Sequence, residues 1–507
     1  MGVESTQAKR AMVFVPFPAQ GHITPMIYLA RALAVRGGIT ATVAVPDFVH
    51  HRMGRLTEDA CGAELALVPI PSGVPDDGRG EPPGFATIVH AMEHHMPAHL
   101  ERIVMGAGHG RVPCSCLVVD VLASWAVSVA ARCDVPAVGF WPVMFASYRI
   151  VAAIPALVSK AFISASGAPL PPPSTNGVDD EDQANKHQNI GDPILPSKLQ
   201  LSTKDLPWLV GGAASQQSRF AFWKRTVDRA KRLPAILVNS FPGEGAGDSD
   251  RYDPPPGQRI LHVGPLFNVN VSLAAGAAEN NGSSCVPLEK PNAAAATTMW
   301  QADSTCMDWL DRRSPGSVVY VSFGSWVAPI GPERMAEFAL GLQAAGRPFL
   351  WVLKNHPSWR AGLPDRFVET VASSRGIGKI VPWAPQEEVL GHHAVGCYIT
   401  HCGWNSTLEA VRHRVRMICY PISGDQFINC AYIVKMWEAG MAMDSTDRDG
   451  VKDCIERVME GEEGRRLQEK VNGMEKVVAG EARSIAKGNL DLFINGIESG
   501  DDWVTKL

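Results

Sequence analysis

At 507 residues the chain exceeds what one hydrophobic core organises, so two or more domains are expected. Its 46% hydrophobic and 20% charged residues describe a globular protein, and a net charge of −5 excludes an electrostatic binder of nucleic acid or of anionic membrane. No stretch approaches the roughly 18 apolar residues of a membrane span. The opening MGVESTQAKR does not read as a secretory leader, and eleven cysteines without a CxxC fit reduced thiols, so a cytoplasmic location is expected.

The first part of the chain alternates short β-favouring runs with helical periods: Met12 to Phe17, Ala41 to Val45, Leu117 to Val119, Ala137 to Phe140, Ile236 to Val238 and Ile260 to Val263. This alternation predicts a parallel, doubly wound α/β domain over residues 1–265. The first strand runs into Pro18-Ala19-Gln20-Gly21-His22-Ile23-Thr24-Pro25. Thr24 suits an N-cap and Pro25 a first helical position, so a helix with Ile27, Ala30, Leu33 and Ala34 inward is expected to start after His22. His22 then lies at a strand end beside a helix N-terminus, whose dipole disfavours imidazolium and keeps the ring a base. A lone histidine is more often structural. Asp120, which ends the strand Leu117 to Val119 at the same sheet edge, changes that reading, because a carboxylate there can orient the ring and stabilise its charge.

Residues 166–193 form a Pro-, Asp- and Asn-rich loop, and a low-complexity stretch over 270–300 marks an interdomain linker placed at 266–303. A second alternating domain, 304–480, begins with Ser317 to Phe323. A helix follows after Gly331-Pro332, then the strand Phe349 to Leu353 and strands around Ile380, Ile399 and Ile418. Two doubly wound domains in tandem imply a ligand cleft between them at the carboxyl ends of the strands.

The richest chemistry lies in residues 383–426, WAPQEEVLGHHAVGCYITHCGWNSTLEAVRHRVRMICYPISGDQ. Val395 to Thr400 reads as a buried strand, and Leu408, Val411 and Val415 show helical period, so a helix starts near Asn405 or Ser406. Its free N–H groups and dipole form an anion site, to which Asn405, Ser406 and His401 can add donors. Glu409, one turn deeper on the same face, can accept from a ribose diol. Trp383 offers a face for a base, and Asp425 with Gln426 offers acceptors and donors for sugar hydroxyls. Taken singly, Trp383 and Trp404 could be core aromatics and Ser406 with Glu409 an ordinary helix start; the joint spacing argues otherwise.

This stretch resembles the signature box of plant family-1 UDP-glycosyltransferases, with Trp383, Gln386, His401, Gly403, Trp404, Asn405, Ser406, Glu409, Asp425 and Gln426 in register. The resemblance implies a GT-B architecture of two Rossmann-like domains facing a cleft, with a C-terminal helix over 481–507 crossing back onto the first domain. It implies uracil stacking by Trp383 with the adjacent Ala384 and Gln386, ribose contact by Glu409, diphosphate contact by His401, Asn405 and Ser406, and sugar contact by Trp404, Asp425 and Gln426. Ser325, in VVYVSFGS, matches a second diphosphate contact; GHxxPxxxLA carries the base His22, and Asp120 before VLASWA its partner. The implied reaction is inverting, metal-independent transfer of glucose from UDP-glucose to a hydroxyl or carboxyl group of a small plant metabolite. UDP-glucose is then a co-substrate, with no prosthetic group, and a monomer is expected. Arg414 and Arg416 stand where the family mostly has Gly and Pro, and Tyr420 where it usually has Trp. The arginines put the local turn in question, since Gly and Pro preset backbone angles.

Phe17, Phe85, Trp141 and Phe145 are candidate walls of an acceptor pocket, core packing being the other role open to each. Other readings compete. Asp180-Glu181-Asp182 and Asp248-Ser249-Asp250 spell a metal-binding DxD, but in polar loops. His90, Glu93 and His94 spell the HxxEH of a zinc peptidase, with Pro97 close behind and no third ligand. No GxGxxG follows a strand, against a nicotinamide enzyme. A catalytically impaired relative that binds metabolites as a sensor is the remaining alternative.

Overall fold

The computed structural model describes residues 10–53, 65–75, 83–106, 114–172, 187–191, 194–245, 252–267, 300–325, 329–373 and 376–498. Both DxD spellings and most of the 266–303 linker lie outside these residues.

The first sheet contains β1 (Arg10–Val15), β2 (Ile39–Pro46), β3 (Leu65–Ile70), β4 (Cys114–Asp120), β5 (Ala137–Trp141), β6 (Ala235–Val238) and β7 (Arg259–His262). Their spatial order is β3-β2-β1-β4-β5-β6-β7, and every pairing is parallel. A central parallel strand is covered on both faces, which is why β4 reads as a continuous apolar run and Cys116 to Val119 are wholly buried. The second sheet, β8 (Val318–Ser322), β9 (Phe349–Val352), β10 (Gly378–Val381), β11 (Val395–Thr400), β12 (Arg416–Cys419) and β13 (Gly440–Ala442), is also all parallel, in the order β10-β9-β8-β11-β12-β13. The sequence pattern missed β3, whose burial does not follow an even apolar run, and β13, three residues long.

In each sheet the strand order reverses once, between β1 and β4 and between β8 and β11. Such a reversal leaves a crevice at the carboxyl ends of the two strands, because their crossover helices leave in opposite directions. His22 and Asp120 lie at the first crevice; Ser325 and the turn at 401–406 lie at the second.

Six helices bear on the site: α1 (Gln20–Gly37), α2 (Phe145–Ala152), α3 (Ala213–Ala230), α4 (Trp404–Arg412), α5 (Gln426–Ala431) and α6 (Arg483–Glu498). Helix α1 starts at Gln20 rather than at Pro25, so His22 sits inside its first turn and not on a loop. Pro25 is tolerated within the helix because of what its missing N–H leaves behind: the carbonyl of Gly21 accepts instead from Asn405 Nδ2 of the second domain, at 3.1 Å. The chain turns after α4 through Arg414 at φ 58°, a left-handed conformation that costs an L-residue about 1–2 kcal/mol. Arg416 then opens β12 and donates from its guanidinium to the carbonyls of Gly396 and Gly464 at 3.1–3.2 Å. The turn in question therefore forms with arginine in both places.

The two domains share an apolar core. Phe241 of the first stacks against Trp404 and Trp437 of the second, whose indole N–H groups donate to the carbonyls of Asn239 (2.7 Å) and Glu244 (2.6 Å). Leu490, Phe493, Ile494 and Ile497 of α6 belong to the core of the first domain, and Asn489 Nδ2 donates to the His262 carbonyl at 2.8 Å.

Candidate active site

On the first-domain side, His22 Nδ1 lies 2.8 Å from Asp120 Oδ2. Asp120 is fully buried, while the His22 side chain retains 16% exposure toward the cleft. The carboxylate is held by backbone as well as by imidazole: Oδ2 accepts from the Phe17 N–H at 3.1 Å and Oδ1 from the Leu122 N–H at 2.9 Å. With Nδ1 engaged by a fixed carboxylate, Nε2 is the nitrogen left to face a ligand, which is the tautomer a general base requires.

Across the cleft, α4 begins after Gly403 with no side chain capping it, so its first N–H groups remain for a ligand. His401 is buried and held down to about 4 by burial, so it is neutral and can offer one N–H. Its ring fits only because Gly324, at φ 80°, and Gly403 lack side chains; a Cβ on either would come within 2.4 Å of Nε2. Gln386 is the hub of the wall: Nε2 donates to Ser406 Oγ (2.9 Å) and Glu409 (2.7 Å), and Oε1 accepts from the Tyr320 and Tyr398 hydroxyls at 3.2 and 3.1 Å. Burial, reinforced by the charge of Glu387, pushes the Glu409 carboxyl up to about 8. Trp383 stacks with one face on Trp300 at 4.8 Å and lines the cleft.

Asp425 also faces the cleft. Burial raises its carboxyl, against the hydrogen bond from Asn429 and the nearby His22. Gln426 Oε1 is occupied by the Ile422 and Ser423 N–H groups at 2.8 and 2.9 Å, so only its NH2 can reach a sugar. Lys354, which the sequence reading missed, lines the cleft and donates to the Ser325 carbonyl at 2.9 Å. A cation just past the strand at 349–352 was the available signal.

His22, Ser325, Lys354, Trp383, Gln386, His401, Glu409, Asp425 and Gln426 line one interdomain cleft of about 860 Å³, together with Ala384, Gly403, Asn405 and Ser406. Of the expected site residues, Phe145 does not line it, Asp120 stands buried behind His22, and Trp404 borders it with a nearly buried indole. Trp404 is 2% exposed, with its indole in the interdomain core and its N–H taken. Phe145 opens α2, packs on Tyr148 and Tyr252, and its N–H donates to the buried Glu244 carboxylate. Phe17, Phe85 and Trp141 do line the cleft, and Phe17 lies 5.3 Å from the His22 ring. Arg219, Phe222 and Trp223 of that wall went unread because α3 shows apolar and charged residues without announcing which face meets the cleft, and Leu122, just after β4, gave no signal of its own. Arg219 sits 4.2 Å over the Phe85 ring and forms no ion pair among the described residues.

The peptidase spelling keeps its histidines together, with the His90 and His94 rings 4.7 Å apart, but its glutamate is already taken. Residues 91–95 form a π-helical turn, and Glu93 is engaged by Arg225 (3.5 Å) and Arg229 (3.1 Å), so it has no freedom to act as a base.

Residues 298–469 match the family model described as UDP-glucoronosyl and UDP-glucosyl transferase. The chain is 40% identical to UDP-glycosyltransferase 82A1 of Arabidopsis thaliana over 93% of its own length and 96% of that protein's. It is 33% identical to the DIMBOA UDP-glucosyltransferase BX8 of Zea mays over 91% and 92%. Its fold is that of UDP-glucose:anthocyanidin 3-O-glucosyltransferase, solved with UDP, at TM-score 0.72 and 23% identity, covering 98% of this chain and all of that one. The indoxyl-glucosylating enzyme of Polygonum tinctorium superposes at TM-score 0.73 with the same identity and coverage. The chain therefore has the GT-B architecture and belongs to the plant family-1 UDP-glycosyltransferases.

Proposed function

We propose that this chain transfers glucose from UDP-glucose to a hydroxyl or carboxyl group of a small metabolite, with inversion and without a metal ion. The observation that carries the reading is the His22–Asp120 pair facing the uncapped start of α4 across one cleft. His22 Nε2 takes the acceptor O–H proton as the acceptor oxygen attacks the anomeric carbon, and Asp120 stabilises the imidazolium that forms. The bond from that carbon to the phosphate breaks, and UDP leaves with its electron pair. The α4 N–H groups, Asn405, Ser406, Ser325 and neutral His401 meet the diphosphate, and the helix dipole supplies the positive potential a metal would otherwise provide. Trp383, Ala384 and Gln386 hold the uracil, and Glu409 the ribose hydroxyls. An intact base and orienting carboxylate speak for catalysis over the sensor alternative.

Gln426 was expected to donate to one sugar hydroxyl and accept from another. With its carbonyl already satisfied, we assign it donation alone and give acceptance to Asp425. Glucose and galactose differ in the direction of one hydroxyl, and the wrong epimer leaves a desolvated polar group unpaired, at about 1–3 kcal/mol. UDP-glucose is therefore expected to surpass UDP-galactose about ten- to a hundredfold in kcat/KM with one acceptor, and Gln426→Ala to narrow that ratio. An equal rate with both donors in the wild type would remove the glucose assignment. We place the enzyme as a monomer in the cytoplasm; no helix among the described residues is long and apolar enough to cross a membrane.

A further inference from the structure

Three cysteines from separate elements meet under the donor wall: Cys402 after β11, Cys419 at the end of β12 and Cys430 in α5. Their sulfurs all lie within 4.8 Å of one another. Cys402 and Cys419 are fully buried, and Cys430 is partly exposed. Cys402 holds its place in a left-handed conformation, φ 64°, that an L-residue adopts at a cost. We propose that this trio is a binding site for one thiophilic d10 cation in three-coordinate thiolate geometry, and that its occupancy weakens UDP binding.

The geometry fits such an ion. Metal–sulfur bonds of about 2.3 Å around a trigonal centre place the sulfurs about 4.0 Å apart, so each pair need close by less than about 1 Å. The ligands are all soft, and no imidazole or carboxylate joins the group among the described residues, which favours ions that accept three thiolates over hard cations. Cys430 provides the path of entry. Each thiol that binds releases its proton to solvent as its sulfur–metal bond forms; no electrons move, so no oxidant is needed.

The link to the donor wall is covalent and hydrogen-bonded. Cys402 lies between His401 and Gly403, immediately before α4. Asn429, beside Cys430, donates from Nδ2 both to the Cys402 carbonyl (2.8 Å) and to Asp425 (2.9 Å). Drawing the three sulfurs together therefore shifts the α4 N-terminus and α5 against each other, and detunes the diphosphate and sugar contacts they carry. By linkage, UDP weakens the metal to the same degree.

The test is a titration of reduced, metal-free protein with Cd2+, followed by thiolate-to-cadmium absorption in the ultraviolet and by equilibrium dialysis. Wild type is expected to take up one tight equivalent that Cys419→Ala and Cys430→Ser each lose, with circular dichroism and UDP binding of the metal-free variants reporting that they fold. Cadmium uptake identical in wild type and both variants would overturn the site. Calorimetry then compares UDP affinity with and without one equivalent of Cd2+; a loss of about tenfold in wild type, absent in Cys430→Ser, is expected, and an unchanged affinity would overturn the coupling. The coupling rests on the donor-site reading above, whereas the cadmium titration involves neither UDP nor transfer, so the two can fail separately.

Discussion

The second-domain wall of the cleft comes mainly from residues 383–426, with Tyr320, Ser322, Gly324, Ser325, Val352, Lys354 and others added from the ends of β8 and β9 and just beyond. The acceptor wall draws Phe17, Phe85, Leu122, Trp141, Arg219 and Phe222 from segments scattered through the first domain. The difference follows from what each wall must hold. A diphosphate needs a strand end, a tight turn and a free helix N-terminus, which one short stretch can supply by itself. An apolar acceptor needs only a concave surface of suitable size, which any set of side chains can form once the fold has collected them.

If the halves divide the labour in this way, damage to one should spare the other. His22→Ala should lower turnover about a hundredfold or more on an alcohol acceptor while leaving UDP affinity intact, since the proposed base and the proposed nucleotide site lie on opposite walls. Activity within a few-fold of wild type would break the division.

Asp120→Asn should do two things. One side-chain nitrogen must replace an oxygen that now accepts from the Phe17 N–H or the Leu122 N–H, which sets donor against donor at about 1–3 kcal/mol of stability. Turnover should also fall by about tenfold or more, because the imidazolium loses its countercharge. Thermal unfolding and kcat together check it; a lowered melting temperature with unchanged kcat would make Asp120 purely structural.

Arg219 sharpens the acceptor side. A guanidinium with no carboxylate partner among the described residues, set over an aromatic ring in an otherwise apolar wall, suits an anionic acceptor. Arg219→Met is expected to reduce kcat/KM about tenfold for a hydroxylated aromatic acid and to leave its methyl ester nearly unaffected. Equal losses on both would remove the charge argument.

Glu409 sharpens the donor side through pH. Its carboxyl, raised from an ordinary 4.5 to about 8, is protonated in the free protein at neutral pH. Folding therefore favours the neutral form, and this contribution, complete at low pH, is lost as pH rises through about 8. Ribose hydroxyls donate best to the ionised form, so UDP binding opposes the shift and affinity should rise a few-fold between about pH 6.5 and 8.5. Comparison with Glu409→Gln, whose side chain does not titrate, separates this from titration of the phosphates. Parallel profiles would assign the ribose contact elsewhere.

Much of the architecture was legible because its signals are local. Buried strands such as β4 and β11 read as unbroken apolar runs, and the turn at 401–406 carries its own small residues and helix start. His22 and Asp120 could be paired from sequence because His22 follows β1 and Asp120 ends β4, two strands of one domain. The start of α1 was misplaced because Pro25 reads as a first helical residue unless one knows that Asn405 satisfies the carbonyl it leaves open. The near-burial of the Trp404 indole and the packing of Phe145 away from the cleft could not be read from the chain, since an aromatic side chain has the same identity in a core as in a pocket wall.

By itself, then, the sequence determined the two doubly wound domains and the strand-turn-helix at 401–406, each fixed by periodicity or by short-range spacing, and it singled out His22 and Asp120 as the pair on which the proposed chemistry rests. Tertiary structure alone decided which face of α3 meets the cleft, that the Gln426 carbonyl is already occupied, and that Cys402, Cys419 and Cys430 converge. Each of these depends on the packing of segments far apart in the chain, and no local pattern of residues records where such segments meet.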